Sequence, residues 1–153
     1  MPTDSEIRVL VFDIGQVIVR VNPRRTARAL VLESASGTSR LLQIIHEESP
    51  IKESQDGRLS AKEWYRYLRK LLGLRVDFRQ FCTAWNMALD VQPILDEASF
   101  AGLAERFRLV PLSNTDPIHV AHMHENYQFP QYFEHQLYSC ALGACKPEPA
   151  VCQ

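Results

Sequence analysis

Asp13 ends the apolar run Val9-Leu10-Val11-Phe12, and Gly15 follows two residues later. An unbroken run rich in β-branched side chains has the pattern of a strand buried on both faces. A carboxylate at its end cannot stay charged and buried without partners, and the glycine beyond marks a turn or a close approach of backbone. Ser113 and Asn114 close a second such run, Arg108-Leu109-Val110-Pro111-Leu112, and Lys146 lies in a loop after a third, Gln136-Leu137-Tyr138-Ser139. Open α/β sheets bind ligands outside the carboxyl ends of their strands, so this order gathers a carboxylate, a hydroxyl and an ammonium at one edge. Those groups suit phosphoryl transfer. A carboxylate attacks phosphorus and carries the group as an acyl phosphate. A hydroxyl beside a helix N-terminus, here the one opening at Asp116-Pro117, holds phosphate oxygens together with backbone N–H groups. A lysine neutralises the growing charge and keeps the carboxylate ionised. Each residue alone has a plainer reading: a solvated turn aspartate, an ordinary surface lysine.

The elements that must position these groups follow from local signals. Asn22-Pro23 starts a helix with a side-chain cap and a first-position proline, and its pattern runs through Leu30 and Val31 to Ser34-Ala35-Ser36-Gly37. A second helix, capped by Thr38 or Ser39, carries Leu41, Leu42, Ile44 and Ile45. Glu47 to Gly57, with Pro50 and Asp56-Gly57 as breakers, reads as a polar loop. Ser60-Ala61-Lys62-Glu63 is a capping box before a stripe of Trp64, Tyr67, Leu68, Leu71 and Leu72, and Gly73 stops that helix. Asp77 caps another, with Phe78, Phe81, Trp85 and Leu89 on one side. Residues 22–90 therefore read as four helices without a strand. Pro93 opens a further helix through Phe100 to Ala104 before the second strand, and a last helix begins after Pro147-Glu148-Pro149.

The 153 residues suit one domain, or a small core carrying an insertion. A net charge of −1 offers no bulk attraction for nucleic acid or an anionic membrane. No apolar run reaches the ~20 residues of a membrane helix, and the acidic N-terminus lacks the segments of a signal peptide. Cys82, Cys140, Cys145 and Cys152 form no C-x-x-C pair, so reduced thiols and a cytoplasmic location are the expectation.

With these motifs in order, the chain resembles the haloacid dehalogenase (HAD) superfamily, in particular its sugar-phosphate (glucose-1-phosphate) phosphatase-like branch. Phe12-Asp13-Ile14-Gly15-Gln16-Val17-Ile18 resembles that branch's first motif, Leu112-Ser113-Asn114-Thr115 the second, and Leu142 to Pro149, containing Lys146, the third. The resemblance implies an α/β fold with a Rossmann-type parallel sheet: a core of residues 1–21 and 91–153, and a helical cap of residues 22–90. It implies a phosphatase of a small phosphorylated metabolite. Asp13 would be the nucleophile, Ser113 and Asn114 would hold the phosphoryl group, and Lys146 would bridge Asp13 and the phosphate. The Asp13 carboxylate and the Gly15 backbone carbonyl would bind Mg²⁺. Most phosphatases of the superfamily carry a second aspartate where this chain has Gly15, which leaves the leaving-group acid unassigned among cap His or Glu residues.

The resemblance also implies a fourth, acidic motif beyond the lysine, which the sequence ending at Gln153 does not contain. The expectation is a C-terminally truncated chain, inactive if the missing ligand is needed, with Val9–Phe12 left as an exposed edge that self-associates. Two other readings stand beside it: a carbon–halogen hydrolase using the same aspartate without metal, and a non-catalytic HAD-like module. His119, His122, His124 and His135 have no partners at metal-ligand spacing and read as surface or cap-facing residues. Trp64 and Trp85 read as cap packing; Cys145 precedes Lys146, and a nearby ammonium lowers a thiol pKa, but nothing in the sequence indicates that the thiol is used.

Overall fold

A computed structural model describes residues 7–31 and 37–152. The sheet is parallel, in the order β1 (Val9–Phe12), β2 (Arg108–Ser113), β3 (Leu137–Tyr138). β1 pairs with β2 from Val9↔Arg108 to Phe12↔Pro111, and β2 pairs with β3 at Leu112↔Leu137 and Ser113↔Tyr138. Parallel pairing requires a long crossover. Here the first crossover contains six helices among the described residues, so Asp13 and Ser113 lie far apart in sequence while the sheet holds their strands side by side.

Burial of β1 differs from the sequence expectation. Val9 and Val11 are 43% and 61% exposed. Their face of the strand is open, and β1 stands at the edge of the described sheet. The opposite face is covered: Phe12 packs on Phe100 and Phe133 with ring centroids 6.2 and 6.1 Å away. Phe100 comes from α6 (Glu97–Ala104). That helix starts later than its sequence signal, because Asp96 rather than Pro93 caps it, accepting from the Ser99 N–H at 2.8 Å.

The helices of the insertion are α1 (Pro23–Val31), α2 (Gly37–His46), α3 (Glu48–Gln55), α4 (Ala61–Leu72) and α5 (Phe78–Asn86). α3 corrects the polar-loop reading. Pro50 sits in its first turn, where a backbone N–H has no helical partner to lose, so proline is tolerated there. Thr38 and Ser39 lie inside α2 and do not cap it. The helix stop read at Ser34-Ala35-Ser36 lies outside the described residues. The Ser60/Glu63 capping box is formed, Gly73 ends α4 at φ 64°, and Asp77 builds a second box with Gln80. Tyr65, rather than Tyr67 or Leu71, joins Trp64, Leu68 and Leu72 inside, its hydroxyl donating to the Val76 carbonyl at 2.8 Å.

Two buried clusters result. One joins α1, α2, α4 and α5 around Leu30, Ile44, Trp64, Leu68 and Phe81. The other gathers Ile18, Val19, Phe100, Leu109 and Met123 around the sheet. Ile118, on α7 (Pro117–Asn126), belongs to the first cluster although its helix follows β2. The remaining elements are 3₁₀ turns at Phe129–Tyr132 and Pro149–Cys152 and the short α8 (Ser139–Leu142). The last helix read from sequence is only that second turn. No helix among the described residues is long and apolar enough to cross a membrane.

Candidate functional site

Asp13 leaves β1 half-exposed, and the chain then folds into a tight turn. Ile14 N–H donates to Asp13 Oδ1 at 2.8 Å, Ile18 N–H to the Ile14 carbonyl at 2.8 Å, and Gln16 takes φ 63°. Lys146 Nζ lies 3.0 Å from Asp13 Oδ2. The two residues are 133 positions apart in the chain and meet only because β1, β2 and β3 are parallel and adjacent. Ser113 ends β2 beside them, 5% exposed.

Asn114 is used differently from the sequence reading. Its amide donates to the Lys146 carbonyl at 3.0 Å and its Oδ1 accepts from the Lys146 N–H at 2.7 Å. The side chain is spent on fixing the lysine loop, which leaves Asn114 to meet a phosphate through its backbone. Ser139 does the same job one residue on. Its hydroxyl accepts from the Thr115 N–H at 2.9 Å and donates to the Thr115 carbonyl at 3.2 Å. The loop from Ser113 to Asp116 is thus held from both sides before any ligand arrives, the preorganisation that anion binding by backbone donors requires.

A cavity of about 250 Å³ opens between this edge and the insertion. Ile14, Gly15, Ser113 and Asn114 line its floor, and Thr26, Ile51, Gln55 and Trp85 come from the helical insertion. A shallower depression adjoins it, sharing Ile51, Gln55 and Asn114 and bounded by Lys146, Lys52 and Glu148. Lys146 lines the depression, and Ile14 and Gly15, which directly follow Asp13, line the cavity. An exposed Lys52–Glu148 ion pair of 3.0 Å ties α3 to the loop after Lys146.

The inner wall holds a constellation whose roles the sequence reading missed. Asp116, 2% exposed, caps α7 through the Ile118 and His119 N–H groups at 2.9 and 3.0 Å. It also accepts from Trp85 Nε1 at 3.0 Å and faces His119 Nδ1 at 3.1 Å. His119 Nε2 is 3.3 Å from the Trp85 carbonyl, and its ring stacks on the indole with centroids 5.8 Å apart. Burial pushes the Asp116 carboxyl up, but the His119 charge and the donated hydrogen bonds outweigh it and hold it at about 2. Burial pushes the His119 imidazole down, and the Asp116 carboxylate more than reverses this, so it titrates above an ordinary histidine. The available sequence signal was the spacing: a residue three positions after a helix cap reaches back to it.

Cys145 is 4% exposed, and burial raises its thiol although the Ser139 hydrogen bond and the Lys52 charge pull it down, so it is not an activated nucleophile. Trp64 packs wholly buried among the helices inserted after β1, whereas Trp85 both packs and lines the cavity. Among the described residues no group of three or more His, Cys, Asp or Glu side chains converges on one point.

The fold is the HAD-like α/β fold, a parallel sheet with helices inserted after its first strand. No family model matches the sequence. A D-ribitol-5-phosphate phosphatase of Bacteroides thetaiotaomicron is 24% identical over 151 residues, 95% of this chain and 73% of that protein. A crystal structure of a HAD family enzyme from the same organism superimposes with a TM-score of 0.86 at 22% identity, covering 96% of this chain and 75% of the other. A complex of that enzyme with magnesium and inorganic phosphate gives 0.83 at 23% identity, over 95% and 75%. The L-2-haloacid dehalogenase of Xanthobacter autotrophicus is more distant, at 0.57 and 19% identity, over 95% and 62%.

Proposed function

We propose that this protein is a HAD-type phosphatase that hydrolyses a small phosphorylated metabolite through an aspartyl-phosphate intermediate. One observation carries the reading: Asp13 and Lys146 form a 3.0 Å ion pair at the carboxyl edge of a parallel sheet, beside Ser113. An Asp13 oxygen attacks phosphorus while Lys146 neutralises charge on the phosphoryl oxygens and keeps the carboxylate ionised. Ser113 and the backbone N–H of Asn114, in the pinned loop that ends β2, hold those oxygens. Water then attacks the acyl phosphate and releases Asp13.

The donor set fits Mg²⁺. The Asp13 carboxylate and the Gly15 carbonyl are hard oxygen ligands, and Mg²⁺ binds through one or two carboxylates plus water and substrate phosphate. When bound, the ion supplies charge neutralisation at the phosphoryl group.

For the substrate we favour a sugar or polyol phosphate, the class that includes glucose 1-phosphate. Similarity to the ribitol-phosphate phosphatase supports this, as does a cavity sized for a few carbons and lined by Gln55 and Thr26. We place the protein in the cytoplasm, where the thiols of Cys82, Cys140 and Cys145 stay free. The open edge of β1 favours self-association through that strand.

Hydrolysis of p-nitrophenyl phosphate tests the chemistry. The wild-type protein with Mg²⁺ should turn it over and be thermally stabilised by the ion, as any ligand selective for the native state stabilises it. Asp13→Asn should abolish turnover while leaving the fold intact; an Asp13→Asn protein that still hydrolyses the ester would remove Asp13 from the mechanism.

A further inference from the structure

An alkoxide is a poor leaving group unless it receives a proton as the P–O bond breaks, and a positioned acid speeds that step about 10²–10⁴-fold. Gly15 has no side chain to supply it. Among the described residues lining the cavity, only Asp116 and His119 titrate. Asp116 is ionised at neutral pH and buried behind His119, so it has no proton to give. Lys146 is committed to Asp13.

We propose that His119 is the leaving-group acid of this phosphatase, with Asp116 holding it in place; the assignment rests on the phosphatase reading above. The geometry separates the two ring nitrogens. Nδ1 faces Asp116 at 3.1 Å, a charge-assisted bond that fixes the ring and stabilises its protonated form. Nε2 faces the Trp85 carbonyl at 3.3 Å, a longer contact to a neutral acceptor that Thr26 Oγ1 also engages at 2.8 Å. Of the two ring protons, the one on Nε2 is therefore held less firmly than the one on Nδ1, which the Asp116 carboxylate retains. Stacking on the Trp85 indole adds a cation–π contact that also favours the imidazolium. The other titratable groups that sense the pair are His122, one turn along α7, Cys82 on α5 and Cys140 on α8.

The step balances. An Asp13 oxygen forms the new O–P bond, the bond to the ester oxygen breaks, and its electron pair takes the Nε2 proton. The alcohol departs and His119 is left neutral. Water then attacks the acyl phosphate, Nε2 accepts its proton, and the imidazolium and free carboxylate are restored together with inorganic phosphate. The alcohol portion of the substrate must consequently lie against Trp85 and His119, on the insertion side of the cavity.

The test compares leaving groups. p-Nitrophenolate leaves without a proton, whereas the alkoxide of ribitol 5-phosphate or glycerol 3-phosphate needs one. In His119→Asn, a side chain that can still donate to Asp116, kcat/KM for the alkyl esters should fall at least a hundredfold and that for p-nitrophenyl phosphate less than about fivefold. His46→Ala, at the exposed rim of the adjoining depression, should change neither ratio. Equal losses on both ester types in a folded His119→Asn protein would show a purely structural role and overturn the proposal, as would leaving-group dependence appearing in His46→Ala instead. Wild-type protein inactive on every ester would overturn the phosphatase reading and this proposal with it. The ring has an activity-independent signature as well: ¹⁵N spectra of the wild type should show His119 keeping both ring protons to a higher pH than an ordinary histidine, and a ring that loses one at or below the ordinary range would refute the assignment.

Discussion

Replacing Asp116 by Asn isolates the charge in the buried pair. Asparagine caps helices as well as aspartate does, and it is nearly isosteric, so the α7 start and the local packing survive. What disappears is the carboxylate that faces His119 and Trp85. The drop of the carboxyl from its ordinary 3.8 to about 2 corresponds to about 2 kcal/mol of native-state stabilisation. Independently, hydrogen bonds to charged groups contribute about 1.5–3 kcal/mol each, which agrees. The full cost of ~3–5 kcal/mol for an orphaned buried charge is not reached, because the histidine escapes by losing its proton. For a chain of this size about 2 kcal/mol is about 4–8 °C in Tm.

The pH dependence has a definite sign. The depressed carboxyl contributes stability that is present above 3.8 and is lost as pH falls toward 2. The raised imidazole contributes stability that is complete below its ordinary 6.5 and is lost as pH rises through its native value. The wild type should therefore exceed Asp116→Asn by its full margin between pH 5 and 6.5, and the margin should shrink at higher pH. Urea unfolding followed by fluorescence measures this, with m unchanged between the two proteins. Equal midpoints at pH 6, or a margin that widens above pH 7, would refute the electrostatic account of the pair.

Two further outcomes follow from geometry alone. Gly57 sits at φ 78°, and a Cβ there would press on the Cys140 carbonyl oxygen of α8; Gly57→Ala should cost more than the ~1–2 kcal/mol of a left-handed backbone, read as a fall in Tm, and a neutral result would mean that the turn before α4 does not dock on α8. Val11→Lys charges the open face of the β1 edge strand, which should drive any self-associated species toward monomer in sedimentation velocity without lowering Tm.

The convergence of Asp13, Ser113 and Lys146, the proposed phosphoryl end of the site, was legible in the sequence because its signals are local. An apolar run ending in Asp13, another ending in Ser113 and a loop carrying Lys146 each announce a strand terminus, and parallel pairing does the rest. Caps were legible for the same reason at Ser60, Asp77 and Asp116, since each satisfies its own helix within three residues. The failures have local causes too. Pro50 was read as a breaker, although a proline in the first turn interrupts nothing. Pro93 was given the start of α6 that Asp96 makes, because a proline can open a helix or merely precede one. Asn114 was read as a phosphate ligand together with Ser113, while its amide serves the backbone of Lys146, 32 residues away.

The Trp85–Asp116–His119 wall, proposed above to meet the leaving group, was illegible for a deeper reason. Trp85 belongs by periodicity to the apolar side of α5, and its side chain does pack there, against Phe81 and Trp64. Nothing along the chain reveals that its one polar atom reaches across the cavity to Asp116, or that its carbonyl faces His119. Those contacts join the insertion to the core and exist only once both have folded. The division has a chemical logic. The phosphoryl group is the same whatever the ester, so the residues that meet it can be set by the strand ends alone. The alcohol differs from substrate to substrate, and whatever reads it must come from surfaces that two units build jointly. A change at Trp85 should accordingly alter which ester is preferred before it alters whether phosphate is transferred, whereas a change at Ser139, which fixes the Thr115 backbone, should lower turnover of all esters alike.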